Sequence, residues 1–203
     1  MVEQRTCNAL VGGSIPPVGS IKKDVSMCIK SDKERKALLL SKADARPFLG
    51  WKLLRVMDES LLTPFTDYPV SWDVSTVSSH NPMHLFLTKQ GAMYGATCMT
   101  LDSLYLSCRH FIVAPVTFEA DALLDVGPWD EPNGVATATV SKLTYFPIPK
   151  DLVLERMAAD DVVVWLPAPR HTFQEVSPDM CGDNAQEWVN SFIGFSLKPL
   201  PIS

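Results

Sequence analysis

The sequence predicts a mainly β domain, a sandwich or a closed barrel, over residues 83–166. Short runs rich in branched apolar and aromatic residues recur along this region, and turn signals such as Gly127-Pro128 and Glu131-Pro132-Asn133-Gly134 separate them. Several short strands at this spacing are typical of all-β domains. The stretch from Tyr94 to Leu166 has about the length of one six-stranded antiparallel barrel.

Seven predicted strands share this apolar, turn-bounded character. They are Met83–Leu87, Tyr94–Thr100, Leu104–Leu106, Val116–Leu124, Val135–Phe146, Leu152–Met157 and Val162–Leu166. A turn at 89–92 is predicted between the first two of them.

A helical and extended segment is predicted before the barrel. The first 33 residues contain Gly12-Gly13 and paired prolines and indicate a linker. A helical pattern follows from Ser31, with Ser31 or Asp32 as the cap, and after Pro47 a second apolar set runs from Trp51 to Met57. Three prolines in residues 60–82 predict an extended connection.

Composition limits the function classes. The net charge is -5, which gives no global electrostatic reason to bind nucleic acid or an anionic membrane. The five cysteines are odd in number and lack Cys-x-x-Cys spacing, which favours free thiols in a reducing compartment. No secretory signal and no apolar run long enough to span a membrane occur, so we expect a soluble, intracellular protein without a cofactor or metal site.

A histidine closes the first predicted hairpin. Gly95 opens a predicted strand, a tight turn follows at 101–103, a second short strand comes next, and then His110. At the other end of the region, Asp161 heads the apolar run Val162–Leu166. A carboxylate that accepts a hydrogen bond from one imidazole nitrogen fixes the tautomer, so that the other nitrogen can deprotonate a nucleophile.

These two runs carry a family resemblance. The run 104–111, LYLSCRHF, resembles the histidine segment of picornavirus-like 3C-type cysteine proteases, especially those of plant comovirus relatives, and 161–176, DVVVWLPAPRHTFQEV, looks like their acid strand and the segment after it. The resemblance implies a chymotrypsin-like fold, with His110 as general base and Asp161 as the orienting acid. In the family the segment after the acid strand binds RNA through basic residues around an aromatic one. Here Phe173 remains but its basic neighbours are absent, which argues against RNA binding.

The expected nucleophile lies in a Gly-x-Cys-Gly context on a second barrel. The one cysteine after the acid is Cys181, followed by Gly182, and the stretch between Asp161 and Cys181 is too short for several strands. We therefore expect the chain to supply residues 81–177 as the N-terminal barrel, residues 1–80 as an upstream polyprotein segment, and residues 178–203 as a tail or the start of a second barrel. The chain alone would be inactive, with the nucleophile either Cys181 or a residue beyond the chain.

Simpler interpretations stand beside these. His110 could merely close a hairpin, and Asp160 or Asp151 could replace Asp161. His80, His84 and His171 show no metal-ligand spacing and are expected on loops or the surface. The enzyme hypothesis predicts a viral polyprotein substrate, a C-terminal protease barrel as a further partner, and activity in the host cytoplasm. The alternative is a non-catalytic β-domain that binds RNA or protein.

Overall fold

The computed structural model describes residues 29–64, 67–101, 110–130, 135–159, 163–170, 172–176 and 197–200. Within these ranges the chain forms nine strands and three α-helices. The strands are β1 (Phe48–Met57), β2 (Ser60–Leu62), β3 (Pro69–Val70), β4 (Ser75–Phe86), β5 (Phe111–Phe118), β6 (Leu123–Asp130), β7 (Val135–Tyr145), β8 (Val163–Trp165) and β9 (Leu197–Pro199). The helices are α1 (Lys33–Ser41), α2 (Lys89–Leu101) and α3 (Lys150–Ala158), and a short 3-10 helix spans Ala120–Ala122. The prediction of a mainly β chain is confirmed.

Helix α1 begins where the capping pattern predicts. The Asp32 carboxylate accepts a hydrogen bond from the backbone N–H of Arg35 at 2.9 Å, and this bond satisfies an otherwise unpaired donor of the first turn. The Asp32 N–H donates to the carbonyl of Val126 at 2.7 Å, and Lys36 donates to the carbonyl of Leu124 at 2.6 Å. These bonds hold α1 along the outer edge of β6.

The second predicted helical set is instead the strand β1. Trp51, Leu53, Leu54 and Val56 are all buried, so this strand has an apolar core on each of its faces. A continuous apolar run fits a strand buried on both sides as well as a buried helix, and its periodicity does not separate the two. The predicted extended connection that follows contains β2, β3 and the first half of β4.

Four long strands form a closed circuit of antiparallel pairs. Strand β1 pairs with β5 along eight positions, β5 with β7 at two, and β7 with β4 along most of its length. The circuit closes through the pairing of Trp51 in β1 with Phe86 in β4. Strands β2 and β3 extend the sheet from β1, and β6 pairs with the first half of β7.

The sheet is mixed, because β5, β8 and β9 run parallel to one another. Phe111 pairs with Val163, and Val163 pairs with Leu197. The prediction of a purely antiparallel sheet is therefore wrong for this part of the molecule. Strand β4 spans residues 75–86 and so crosses the predicted domain boundary at residue 80.

Two predicted strands are helices. The residues predicted as strand Tyr94–Thr100, and the turn predicted at 89–92, belong to α2. The predicted strand Leu152–Met157 belongs to α3, where Val153 and Met157 are buried four residues apart, one helical turn. The predicted strand Leu104–Leu106 lies outside the described residues.

Two hydrophobic cores lie on opposite faces of the sheet. Helix α2 covers one face, where Ala92, Ala96 and Met99 pack with Phe111 and Val163. The other, larger core is enclosed by the strand circuit and contains Phe48 and Phe118, whose stacked rings have centroids 5.5 Å apart. The alternating side chains of β1 and β5 thus contribute to both cores, which explains why these strands are mainly apolar.

Candidate functional site

His110 lies immediately before β5 and is half-buried. Its backbone carbonyl accepts a hydrogen bond from the N–H of Val56 at 3.0 Å, which continues the β1–β5 ladder by one residue. The backbone of His110 is therefore fixed by β1, at the end of the sheet where β5 begins.

The strand that follows the predicted acid in sequence, β8, lies beside β5. Asp161 and its neighbour Asp160 lie outside the described residues, and the chain is described again from Val163. Val163 pairs in parallel with Phe111, the residue after His110. The strands that follow the predicted base and the predicted acid are therefore direct neighbours, and both begin at the same end of the sheet.

Asp151, the other alternative acid, occupies a different setting. It is exposed in the first turn of α3, where a carboxylate is favourable toward the helix dipole. The apolar run after Asp151 suggests a strand like the one after Asp161, but it forms the helix α3, so Asp151 does not head a strand.

The sequence around the predicted hairpin folds in another way. Gly95, predicted to open the first strand of the hairpin, lies in α2 against the ring of Phe86. Cys98 is a half-buried thiol of the same helix, and Cys108 and the candidate nucleophile Cys181 lie outside the described residues.

The other histidines form no metal site with their neighbours in the described ranges. His80 is exposed and His84 is half-buried, and both belong to β4, which was predicted to be a connection up to residue 82. His171 lies outside the described residues.

The segment after β8 packs against the fold. Phe173 is half-buried against the α2-side core, and the backbone of Gln174 donates to Pro47 at 2.8 Å and accepts from Leu49 at 2.8 Å. The aromatic residue that the family resemblance associates with RNA binding is thus used here in packing.

A buried lysine was missed by the sequence prediction. Lys52 in β1 is only 8% exposed, and its ammonium group donates to the backbone carbonyl of His84. Burial lowers the pKa of Lys52 to about 8, because the charged form loses its hydration. The available signal was a lysine in the middle of the mainly apolar run Phe48–Val56, since a buried strand seldom carries a lysine without an acidic partner.

A second cation lies beside His110 in the sheet. Arg55 pairs with Phe111 across the β1–β5 ladder, and its guanidinium bonds to the Asp67 carboxylate. The Arg55 side chain is 12% exposed, and its Nε is buried without a hydrogen-bond acceptor among the described residues. Arg55 therefore brings positive charge to the end of the sheet where β5 and β8 begin.

The described helices include none that is long and apolar enough to cross a membrane. Comparison with known proteins adds no assignment: no family model, no curated protein and no solved structure matches this chain.

Proposed function

We propose that this chain supplies the base and the acid of a cysteine endopeptidase that processes a viral polyprotein in the host cytoplasm. His110 is the general base and Asp161 orients it. The nucleophile is a cysteine, either Cys181 or one on the C-terminal barrel that completes the enzyme. The observation that carries the proposal is the parallel pairing of β5 with β8.

This pairing supports the proposed acid–base pair. His110 precedes Phe111 by one residue, and Asp161 precedes its partner Val163 by two. Adjacent strands lie about 4.8 Å apart, and each residue adds at most about 3.6 Å of chain. An aspartate at 161 therefore has the reach to hydrogen-bond an imidazole at 110.

We further propose that the closed circuit of β1, β4, β7 and β5 is the central part of the N-terminal, chymotrypsin-like barrel. All four pairings in the circuit are antiparallel, as such a barrel requires. The proposal departs from the family resemblance at two points, because α2 replaces the first hairpin strand and β8 joins β5 in parallel.

The chemistry follows from the proposed pair. Asp161 accepts a hydrogen bond from the protonated ring nitrogen of His110, so the other nitrogen is free to take the proton of the cysteine thiol. The thiolate attacks the scissile carbonyl, and His110 then returns the proton to the leaving amine. Backbone N–H groups of the completed enzyme stabilise the oxyanion.

The acid–base pair can be tested on this chain alone. At about pH 8.5 histidine is neutral, and the ring ¹⁵N shifts of His110 report which nitrogen carries the proton. We expect one dominant tautomer in the native chain and a mixture in Asp161→Asn. Asp160→Asn is the matched control and should leave the tautomer unchanged. A tautomer that responds to Asp160→Asn alone would move the acid by one residue, and one that responds to neither would refute the pair.

The identity of the nucleophile can be tested by an activity assay with glutamine-containing peptides. We expect the chain alone to show no turnover, because Cys181 follows Asp161 too closely for a second barrel. Turnover that disappears in Cys181→Ala would instead identify Cys181 as the nucleophile. Whether the active enzyme uses Cys181 or a cysteine of the C-terminal barrel, His110→Ala should reduce its turnover by about three orders of magnitude or more. Unchanged turnover would contradict the proposal.

The alternative, an RNA-binding β-domain, receives less support from the geometry. Phe173 packs against the α2-side core, and the face of the Trp165 ring is covered by the Lys89 ammonium at 4.2 Å from its centroid. A stacking platform needs such aromatic faces open. Salt-dependent binding of single-stranded RNA by the chain would favour the alternative.

A further inference from the structure

One edge of β1 has three partners along its length. Phe48 at its start bridges to Gln174, Trp51 then pairs with Phe86 of β4, and the end of β1 pairs with β2 at residues 55–57. The opposite edge of β1 pairs continuously with β5. Between Trp51 and Arg55 the pairing passes from β4 to β2, and the carbonyl of His84 accepts a hydrogen bond from the Lys52 amine. We call the Trp51–Phe86 pair together with this bond the β1–β4 seam.

The β1–β4 seam has the fewest paired residues of the four pairings in the strand circuit. It contains one register pair, whereas β1 and β5 share eight and β4 and β7 also share eight. The side-chain bond of Lys52 is therefore a polar contact between β4 and β1 in addition to this single register pair.

The charge on Lys52 has no carboxylate partner on the strands of the circuit. The titratable residues on β1, β4, β5 and β7, apart from Lys52 itself, are Arg55, His80, His84, Lys142 and Tyr145. None of these is an acid that would carry negative charge near neutral pH. Lys52 is a buried residue whose ammonium group bonds to a neutral carbonyl, so the charged form loses more hydration than it regains.

We propose that the Lys52 amine makes the β1–β4 seam proton-sensitive: the seam stays closed while the amine is neutral and opens locally more often when the amine is protonated. Opening returns the amine to water, where its charged form is favoured. The seam then separates β1 from β4 while the longer β1–β5 and β4–β7 ladders remain paired.

The sign and size of the effect follow from linkage. The closed state holds the amine with a pKa of about 8, against 10.5 in water. The closed state therefore binds fewer protons in the interval between these values, and its stability rises with pH there. Between pH 7 and pH 9.5 the opening constant should fall by about 25-fold.

Amide hydrogen exchange on the full chain tests this. After correction for the intrinsic rate, protection of amides in 50–53 and 84–87 should rise by about 25-fold from pH 7 to pH 9.5, and should depend only weakly on low urea, as local opening does. Lys52→Met should remove the pH dependence, whereas the exposed Lys142→Met should retain it. If Lys52→Met does not fold, the native chain alone decides the question. Seam protection that is independent of pH, or that follows urea like global unfolding, would overturn the proposal.

Discussion

Asp58 and Glu59 form the turn between β1 and β2 with positive φ angles of 48° and 60°. Two successive left-handed residues in a two-residue hairpin define a type I′ turn, which favours Asn or Asp first and Gly second. Asp58 fits this preference, but Glu59 has a Cβ that crowds the backbone in this region. Glu59 also bonds to Lys150 at 3.1 Å, with both side chains well exposed, so the ion pair contributes little.

Replacing Glu59 with glycine should therefore stabilise the protein. We expect Glu59→Gly to raise the free energy of unfolding by about 1 kcal/mol, since relief of the left-handed strain outweighs the exposed ion pair. Urea denaturation with an unchanged slope is the measurement. Glu59→Gln separates the two effects, because it removes the charge and keeps the strain. If both variants unfold at the same urea concentration, the turn is not strained.

At the scale of elements, the sequence predicted strands at 83–86, 135–145 and 163–165, because turn signals bound apolar runs there. The predicted strand Val116–Leu124 was wrong as one element, because it contains the end of β5, the 3-10 helix and the first two residues of β6. It misassigned α2 because burial in this helix is not periodic. Residues 91–97 are all buried, so the apolar pattern carries no helical period to detect. Inside the helix, Thr97 donates its hydroxyl to the carbonyl of Met93 at 2.9 Å, a bond that only the helical turn brings about.

Gly95 lies where α2 approaches β4 closely, and a substitution at this position tests the contact. A Cβ at this position would lie 2.5 Å from Cζ of Phe86, so the ring or the helix must shift. We expect Gly95→Ala to lower the free energy of unfolding by about 1–3 kcal/mol, although alanine is the better helix former. Gln90→Ala on the exposed side of the same helix is the matched control and should be nearly neutral. Recovery of stability in the double variant Gly95→Ala with Phe86→Leu would assign the loss to this contact, and a stabilising Gly95→Ala would contradict the packing.

At the scale of the whole molecule, the candidate site depends on strand pairings that are distant in sequence, and these could be predicted only in part. The apolar run after Asp161 predicted the strand that becomes β8, whereas the first residues of β5, which pair with β8, were not predicted as strand. Their parallel pairing could not be predicted, because it depends on which strands the crossover through β6, β7 and α3 brings together. Lys52 was missed for a related reason: its burial results from β4 and β5 flanking β1, and both strands are distant from it in sequence.

Because β1 and the first half of β4 lie before residue 81 and pair with strands that follow it, we expect residues before 81 to be needed for the rest of the chain to fold. Strand β1 contributes eight pairs to β5, and β4 begins at Ser75. A chain of residues 81–203 would expose one edge of β5 and both cores that β1 separates. We expect this fragment to lack the cooperative urea transition of the full chain, and addition of separately prepared residues 1–80 to restore it. A fragment that unfolds cooperatively at the same urea concentration as the full chain would show that β1 is not integral to the sheet and that residues 81–203 fold without it.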